Sequence, residues 1–321
     1  EDDNVITDWL SAAINSTEGR IVLFWLNGLS LLLKTKPKSE KRIPDDYLPL
    51  FDLVINDKTL KGGKGRCILA SQLPFLYRID ESWTRKNIIP LFTQTNSEAF
   101  RQAWHGFLAW GNLTNTSLAE EMLPSFISAA RRLNELSKQR DRFIGFYTYL
   151  AIYIVDNPND EFIPILFNNG DLTDRLQFAS HLGYMLKSMK TETKQRLWSN
   201  WLKKYWEQRL NGIPIPLEAD ENVAMLSWLP FLDDAFCDAV KLVTRTPIKQ
   251  INSIPMLYNI TKSELLTQFP KECAELVIYL CKYIAIYPKT VLLEIARKLI
   301  DIPPELDKRL RESLATIGLK I

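Results

Sequence analysis

His105 and His181 are the only imidazoles in a chain of 321 residues, so any histidine-based acid or base catalysis would have to use one of them. Neither stands at a spacing that pairs it with a nucleophile, and the chain contains no G-x-S-x-G elbow and no HExxH string. His105 lies within Trp104-His105-Gly106-Phe107, where a packed, hydrogen-bonded ring is the expectation. Asp45-Asp46 and Asp233-Asp234 are adjacent acidic pairs at expected helix starts. Neighbouring helix positions point apart and carboxylates there answer the positive helix end, so capping is expected of them, not catalysis. Cys67, Cys237, Cys273 and Cys281 form no C-x-x-C pair. That pattern predicts reduced thiols in the cytoplasm, with no metal and no cofactor in this segment.

Two kinds of residue could serve binding. Gly62-Gly63-Lys64-Gly65-Arg66 could bring backbone N–H groups and cations to a phosphate, because glycine allows close backbone approach. It lacks the G-x-x-x-x-G-K-[ST] spacing, so 57–66 is expected to be a solvated loop between helices, like the lysine-rich loop 34–42. The segment 187–209 is the stronger candidate. It carries Lys187, Lys190, Lys194, Arg196, Lys203, Lys204 and Arg209 among Trp198, Trp201, Tyr205 and Trp206. Trp198, Trp201 and Tyr205 follow a three-then-four spacing and share one helix side, which reads as a core helix with a wet basic back. A nucleic-acid surface formed by 34–42 and 187–209 is the alternative. Trp206 lies off the aromatic stripe and is expected to touch a partner.

The elements that must position these residues are helical. Apolar residues recur three and four apart in segment after segment, as in Leu118, Met122, Phe126, Ala130, Leu133 and Leu136, and alternation of the strand type is scarce. Only 12 glycines argue against glycine-loop nucleotide folds, and 40 basic against 38 acidic residues give a net charge of +2, no global attraction to nucleic acid or anionic membrane. The longest apolar run, 21–33, is broken by Asn27, Gly28 and Ser30 and falls short of a bilayer span, so a buried helix and no membrane association are expected. Phe143 to Val155 and Ala274 to Tyr287 are apolar all round and should be central helices. Asn96, Asp171, Thr191 and Asp233 are expected N-caps, while Gly170 and Gly212 sit where helices end. The fold class is therefore all-α: about seventeen short helices in an irregular array of helical hairpins, HEAT-like or α-solenoid-like. An N-terminal helical part over 1–95 precedes a main array over 96–321, with one continuous domain or two helical bundles side by side as the alternatives. The acidic opening Glu1-Asp2-Asp3-Asn4 is unlike a signal peptide and suggests a piece of a longer protein.

Particular strings carry a family resemblance: the run from Phe100 to Gly111, FRQAWHGFLAWG; Arg142-Phe143; the run from Trp198 to Pro214, WSNWLKKYWEQRLNGIP; and Trp228-Leu229-Pro230. In this order they resemble the helical domain of unknown function found C-terminal to sirtuin-like domains in bacterial antiphage defence proteins, over most of 70–290. The resemblance implies a two-part protein in which a sirtuin-like effector consumes NAD and the helical part senses, scaffolds or restrains it, binding a phage component or its own effector module. This chain has no sirtuin-like NAD fingerprint, so NAD cleavage is not assigned to it. No catalytic residue is carried over. Trp104, His105, Trp110, Trp198, Trp201, Tyr205, Trp206 and Arg209 are candidates for fold or partner contact.

Overall fold

The protein is described by a computed structural model covering residues 6–37, 41–245, 255–283 and 289–320. Those residues form helices and connections, with no strand among them, and the backbone divides into two compact units, Glu1–Ile154 and Val155–Ile321.

The first unit holds α1 (Trp9–Ile14), α2 (Thr17–Lys34), α3 (Leu48–Asn56), α4 (Leu60–Ser71), α5 (Leu73–Ile79), α6 (Glu81–Asn87), α7 (Ser97–Trp110), α8 (Thr116–Ala130) and α9 (Arg140–Tyr153). Short 3₁₀ segments at Ile89–Thr93 and Leu133–Gln139 join them. Asn96 caps α7 as expected, its side chain accepting from the Ala99 N–H at 3.0 Å. The stripe from Leu118 to Leu136 is buried throughout, although α8 stops at Ala130 and the 3₁₀ segment carries the last two residues.

The largest departure from expectation lies at 57–66. From Leu60 onward the glycine-rich stretch is the helix α4, not a loop, and Gly62, Gly63 and Gly65 are buried. Its small residues let α4 lie tightly against α7: a Cβ added at Gly106 of α7 would stand 2.1 Å from the Cys67 carbonyl oxygen, and one at Gly63 would stand 2.6 Å from Gln102 Nε2. Helix propensity disfavours glycine by about 1 kcal/mol per residue, and tertiary packing overrides it here. Helix α7 thereby joins the segment before residue 95 to the segment after it within one unit. The run at 21–33 also differs from the expected buried helix. Val22, Leu26, Leu29 and Leu33 of α2 face the core, while Ile21, Phe24, Leu31 and Leu32 face water.

The second unit holds α10 (Phe162–Asn169), α11 (Leu172–Ser188), α12 (Thr191–Leu197), α13 (Lys203–Leu210), α14 (Ala219–Leu226), α15 (Phe236–Val243), α16 (Pro255–Thr261), α17 (Leu265–Gln268), α18 (Pro270–Cys281), α19 (Lys289–Lys298) and α20 (Pro304–Thr316). Asp171 caps α11 in a reciprocal capping box with Asp174. Gly212 ends α13 with φ +74°, its N–H donating to the Arg209 carbonyl at 3.0 Å while the Ile213 N–H donates to the Gln208 carbonyl at 3.0 Å, a Schellman closure. α9 and α18 carry the two segments expected to be central, and both are largely buried; residues 284–287 of the second lie outside the described residues.

Two of the expected N-caps act otherwise. Lys190, not Thr191, precedes α12, and the Thr191 hydroxyl donates to Asp233 Oδ2 at 2.8 Å. Asp233 also accepts from Lys194 at 3.1 Å, and Asp234 accepts from the Gln195 amide. This acidic pair grips the side of another helix instead of capping its own, because Asp233 adopts φ +49° in a 3₁₀ turn that aims both carboxylates at α12.

Candidate functional site

The residues singled out by sequence divide sharply by burial. Trp104 is fully buried in the first unit, its indole N–H donating to the Phe92 carbonyl at 3.0 Å and its ring meeting Phe126 and Phe143 edge-on at 4.8 and 5.4 Å. His105 is buried beside it, with the Trp9 N–H 3.5 Å from Nδ1. Burial holds its pKa below the usual imidazole value, so the ring stays neutral. His105 lines neither the cavity beside Trp110 nor the one beside Trp25. Burial pushes the Cys237 thiol up to about 11 and the Cys273 thiol up to about 12, away from nucleophilic thiolate character. Among the described residues no group of three His, Cys, Asp or Glu side chains could hold a metal ion, and no helix is long and apolar enough to cross a membrane.

In the second unit, Trp198, Trp201, Tyr205 and Trp206 are all buried. The expectation that Trp206 contacts a partner is overturned: it packs edge-on against Trp228 at 5.3 Å and Trp198 at 6.1 Å. The physical reason is a π-helical turn at Trp198–Leu202, which inserts a residue and rotates the positions that follow, so two sides of this helix face the core. Periodicity at 3.6 residues per turn carries no sign of such an insertion. Trp228, absent from the candidate list, anchors the cluster through an indole N–H donated to the Ala179 carbonyl at 2.8 Å.

Arg209 is a buried structural cation. Its guanidinium pairs with Glu221 at 2.6 and 3.0 Å and donates to the Ile213 and Ile215 carbonyls at 2.8 Å each, clasping the chain that returns after Gly212. Arg175 donates to the same carboxylate at 3.0 Å, so one fully buried Glu221 serves two arginines. Sequence reasoning missed Arg175 and Glu221 because they lie far apart in the chain. The basic patch is partly neutralised within the unit. Lys194 is buried against Asp233, Lys203 pairs with Asp238 at 2.8 Å and Lys204 with Asp160 at 3.2 Å, while Lys187, Lys190 and Arg196 are exposed.

Two exposed surfaces of the first unit gather further candidate side chains. Of the eight aromatic-motif candidates, Trp110 alone is exposed, at 46%. It borders a cavity of about 240 Å³ with Gln72, Phe75, Arg78, Asn112 and Asn115. Phe75 and Arg78 also line the adjoining cavity, of about 300 Å³, with Lys34 and Lys41. Among the described residues neither cavity has a carboxylate in its wall. From the lysine-rich loop 34–42, residues 38–40 lie outside the described residues. The second surface is the outer face of α2, where Ile21, Phe24, Leu31 and Leu32 stand in water beside exposed Leu53 of α3. A cavity of about 210 Å³ opens there, walled by Ile21, Trp25, Leu53 and Val54 and edged by Glu18 and Lys61.

The comparison with known families falls on the other unit. Residues 155–301 match the model of a family described as a domain of unknown function, DUF4020. The match begins at the boundary between the two compact units. The strings Phe100 to Gly111 and Arg142-Phe143 lie outside it, and the runs 198–214 and 228–230 lie inside. No curated protein and no solved structure matches the chain.

Proposed function

We propose that this chain is a non-enzymatic helical interaction domain, the sensor or scaffold part of a sirtuin-like, NAD-depleting antiphage defence protein, and that its ligand is a protein: a phage component or the effector module itself. The observation that carries the reading is the outer face of α2, where large apolar side chains are held in water on a helix whose other face is fully packed. Contiguous exposed apolar surface of this kind marks interaction sites in soluble domains. The motifs that looked most like a site, at 198–209, are consumed in the core of the second unit. The defence setting is supported by the sequence resemblance alone. The experiment is to measure binding of the purified chain to a sirtuin-like effector module and to phage structural proteins, with Phe24→Asp as the surface variant. Binding lost in the variant, at unchanged helicity, is expected; binding to neither class of protein counts against the reading.

A second reading, nucleic-acid binding, is favoured by one observation: Lys34, Lys41 and Arg78 flank Phe75 and Trp110, with no carboxylate among the described residues of the cavity walls. Cations with exposed aromatic faces are the elements of single-strand binding. If it holds, affinity for a labelled single-stranded oligonucleotide falls steeply with salt, and Arg78→Glu reduces it.

A further inference from the structure

The two adjoining cavities beside Trp110 differ in what lines them. The larger, of about 300 Å³, gathers three cations: Lys34 from the last turn of α2, half-buried Lys41, and Arg78 of α5. Among the described residues none of the three makes an ion pair, whereas Arg85 on the next helix meets both Glu81 and Glu121. The smaller, of about 240 Å³, is lined by amides, with Gln72, Asn112 and Asn115 around the exposed Trp110 indole. Asn112 Oδ1 accepts from the Thr114 hydroxyl at 2.8 Å and Asn115 Oδ1 from the Leu118 N–H at 3.0 Å, so both oxygens are engaged locally and the NH2 groups are left to donate. Helix α5 joins the two cavities. Gln72, Phe75 and Arg78 recur three apart along one side of it, while Leu73, Leu76 and Tyr77 face the core. Phe75 and Arg78 line both cavities, with the guanidinium 5.8 Å from the Phe75 ring centroid.

We propose that these cavities form one site for a nucleoside mono- or diphosphate, its base stacked on Trp110 beside Phe75 and its phosphate among Arg78, Lys34 and Lys41. Three cations gathered without a carboxylate repel one another, and a bound anion relieves that repulsion. The guanidinium offers paired N–H donors that suit phosphate oxygens. Indole and phenyl faces suit a heteroaromatic ring, and the two asparagine NH2 groups suit its ring nitrogens and carbonyl oxygens. Each cavity is close to or below the lower bound of about 300 Å³ for small-molecule sites, and the two joined lie within that range. A single-stranded nucleic acid shares this chemistry, but a strand carries phosphate on both sides of every stacked base. Here, among the described residues, the amide-lined cavity has no cation besides the shared Arg78, so the charge lies on one side of the aromatic pair. That asymmetry favours a ligand with one aromatic end and one anionic end. The site goes beyond the protein-binding reading and is separate from its surface, since none of Ile21, Phe24, Leu31 and Leu32 lines either cavity.

The test is the affinity of the intact chain for ADP, adenosine, inorganic pyrophosphate and a short single-stranded oligoadenylate, measured by calorimetry. ADP is expected to bind at least ~10-fold more tightly than adenosine or pyrophosphate, because it alone engages both cavities at once. Trp110→Ala is expected to weaken ADP by ~10-fold, the order of one base stack, with pyrophosphate affected far less. Trp110→Phe, which returns an aromatic face, is expected to recover most of that loss. Arg78→Gln is expected to weaken ADP and pyrophosphate alike by ~10-fold or more, through the lost charge-assisted bonds. Trp110 and Arg78 are exposed, so unchanged circular dichroism should accompany these losses. Absence of ADP binding overturns the proposal, as does ADP held no more tightly than adenosine or pyrophosphate, or ADP binding indifferent to Trp110→Ala. Oligoadenylate bound more tightly than ADP overturns the mononucleotide site in favour of a strand. No protein partner enters these titrations, so their failure and the failure of the α2 face to bind protein are read separately.

Discussion

Each unit buries an arginine that clasps backbone carbonyls, and the two solve the problem of its charge differently. Arg66 in the first unit donates to the Val54, Ile55 and Asp57 carbonyls at the end of α3 and to Gln102 Oε1 at 3.0 Å, so its hydrogen-bonding partners are neutral groups. Arg209 in the second unit has carbonyls too, but its charge is met by the buried carboxylate of Glu221, which Arg175 shares. In the first unit the anion near Arg66 is Asp57, which acts on the guanidinium through space and with its backbone carbonyl and not through a carboxylate hydrogen bond, in a core otherwise built by shape, glycine against backbone and phenylalanine against tryptophan. In the second, two guanidinium groups are almost wholly inside, and only an internal countercharge makes that tolerable. One core therefore depends on volume and the other on charge.

That contrast can be broken most severely at Glu221. Glu221→Gln keeps the shape and removes the anion, leaving two buried cations unpaired, and should destabilise the second unit by about 3–5 kcal/mol. Hydrogen exchange should then rise across 162–226 with the first unit unaffected. Replacing Arg175, Arg209 and Glu221 together by apolar residues of similar volume sharpens the point, since exchange there should be far closer to wild type than in the single variant. Next comes Gly106→Ala, where the added methyl meets the Cys67 carbonyl and must push α4 from α7. Overpacking of this kind costs about 1–3 kcal/mol, read as an earlier urea transition of the first unit.

A smaller effect is expected from pH. Burial lowers the pKa of His105 below the usual imidazole value of about 6.5, so the unfolded chain binds a proton that the folded chain refuses. The stability this group contributes is complete above about pH 6.5 and is lost as pH falls below it toward the folded value. His105→Gln should flatten that part of the stability profile of the first unit, and an unchanged slope would mean another group titrates. The least effect belongs to the second unit's exposed pair. Lys204→Ala breaks the contact with Asp160 in a setting where such pairs contribute about 0–1 kcal/mol, so its denaturation midpoint should barely move.

The helical class of this protein was legible from apolar spacing alone, because burying one side of a helix forces a period that survives in the residue order. So were the caps at Asn96 and Asp171 and the turn at Gly212, whose chemistry involves only residues a few positions apart. What tertiary structure decided were the facts that depend on distant partners. It made the glycine stretch at 62–65 a packed helix, because small residues permit close approach only where another helix is present. It buried Trp206 through a π-helical turn, gathered Arg175, Arg209 and Glu221 from three helices, and turned Asp233 and Asp234 toward α12. It left the α2 face in water, since an apolar side chain carries the same signal in the sequence whether its partner belongs to the same chain or to another molecule.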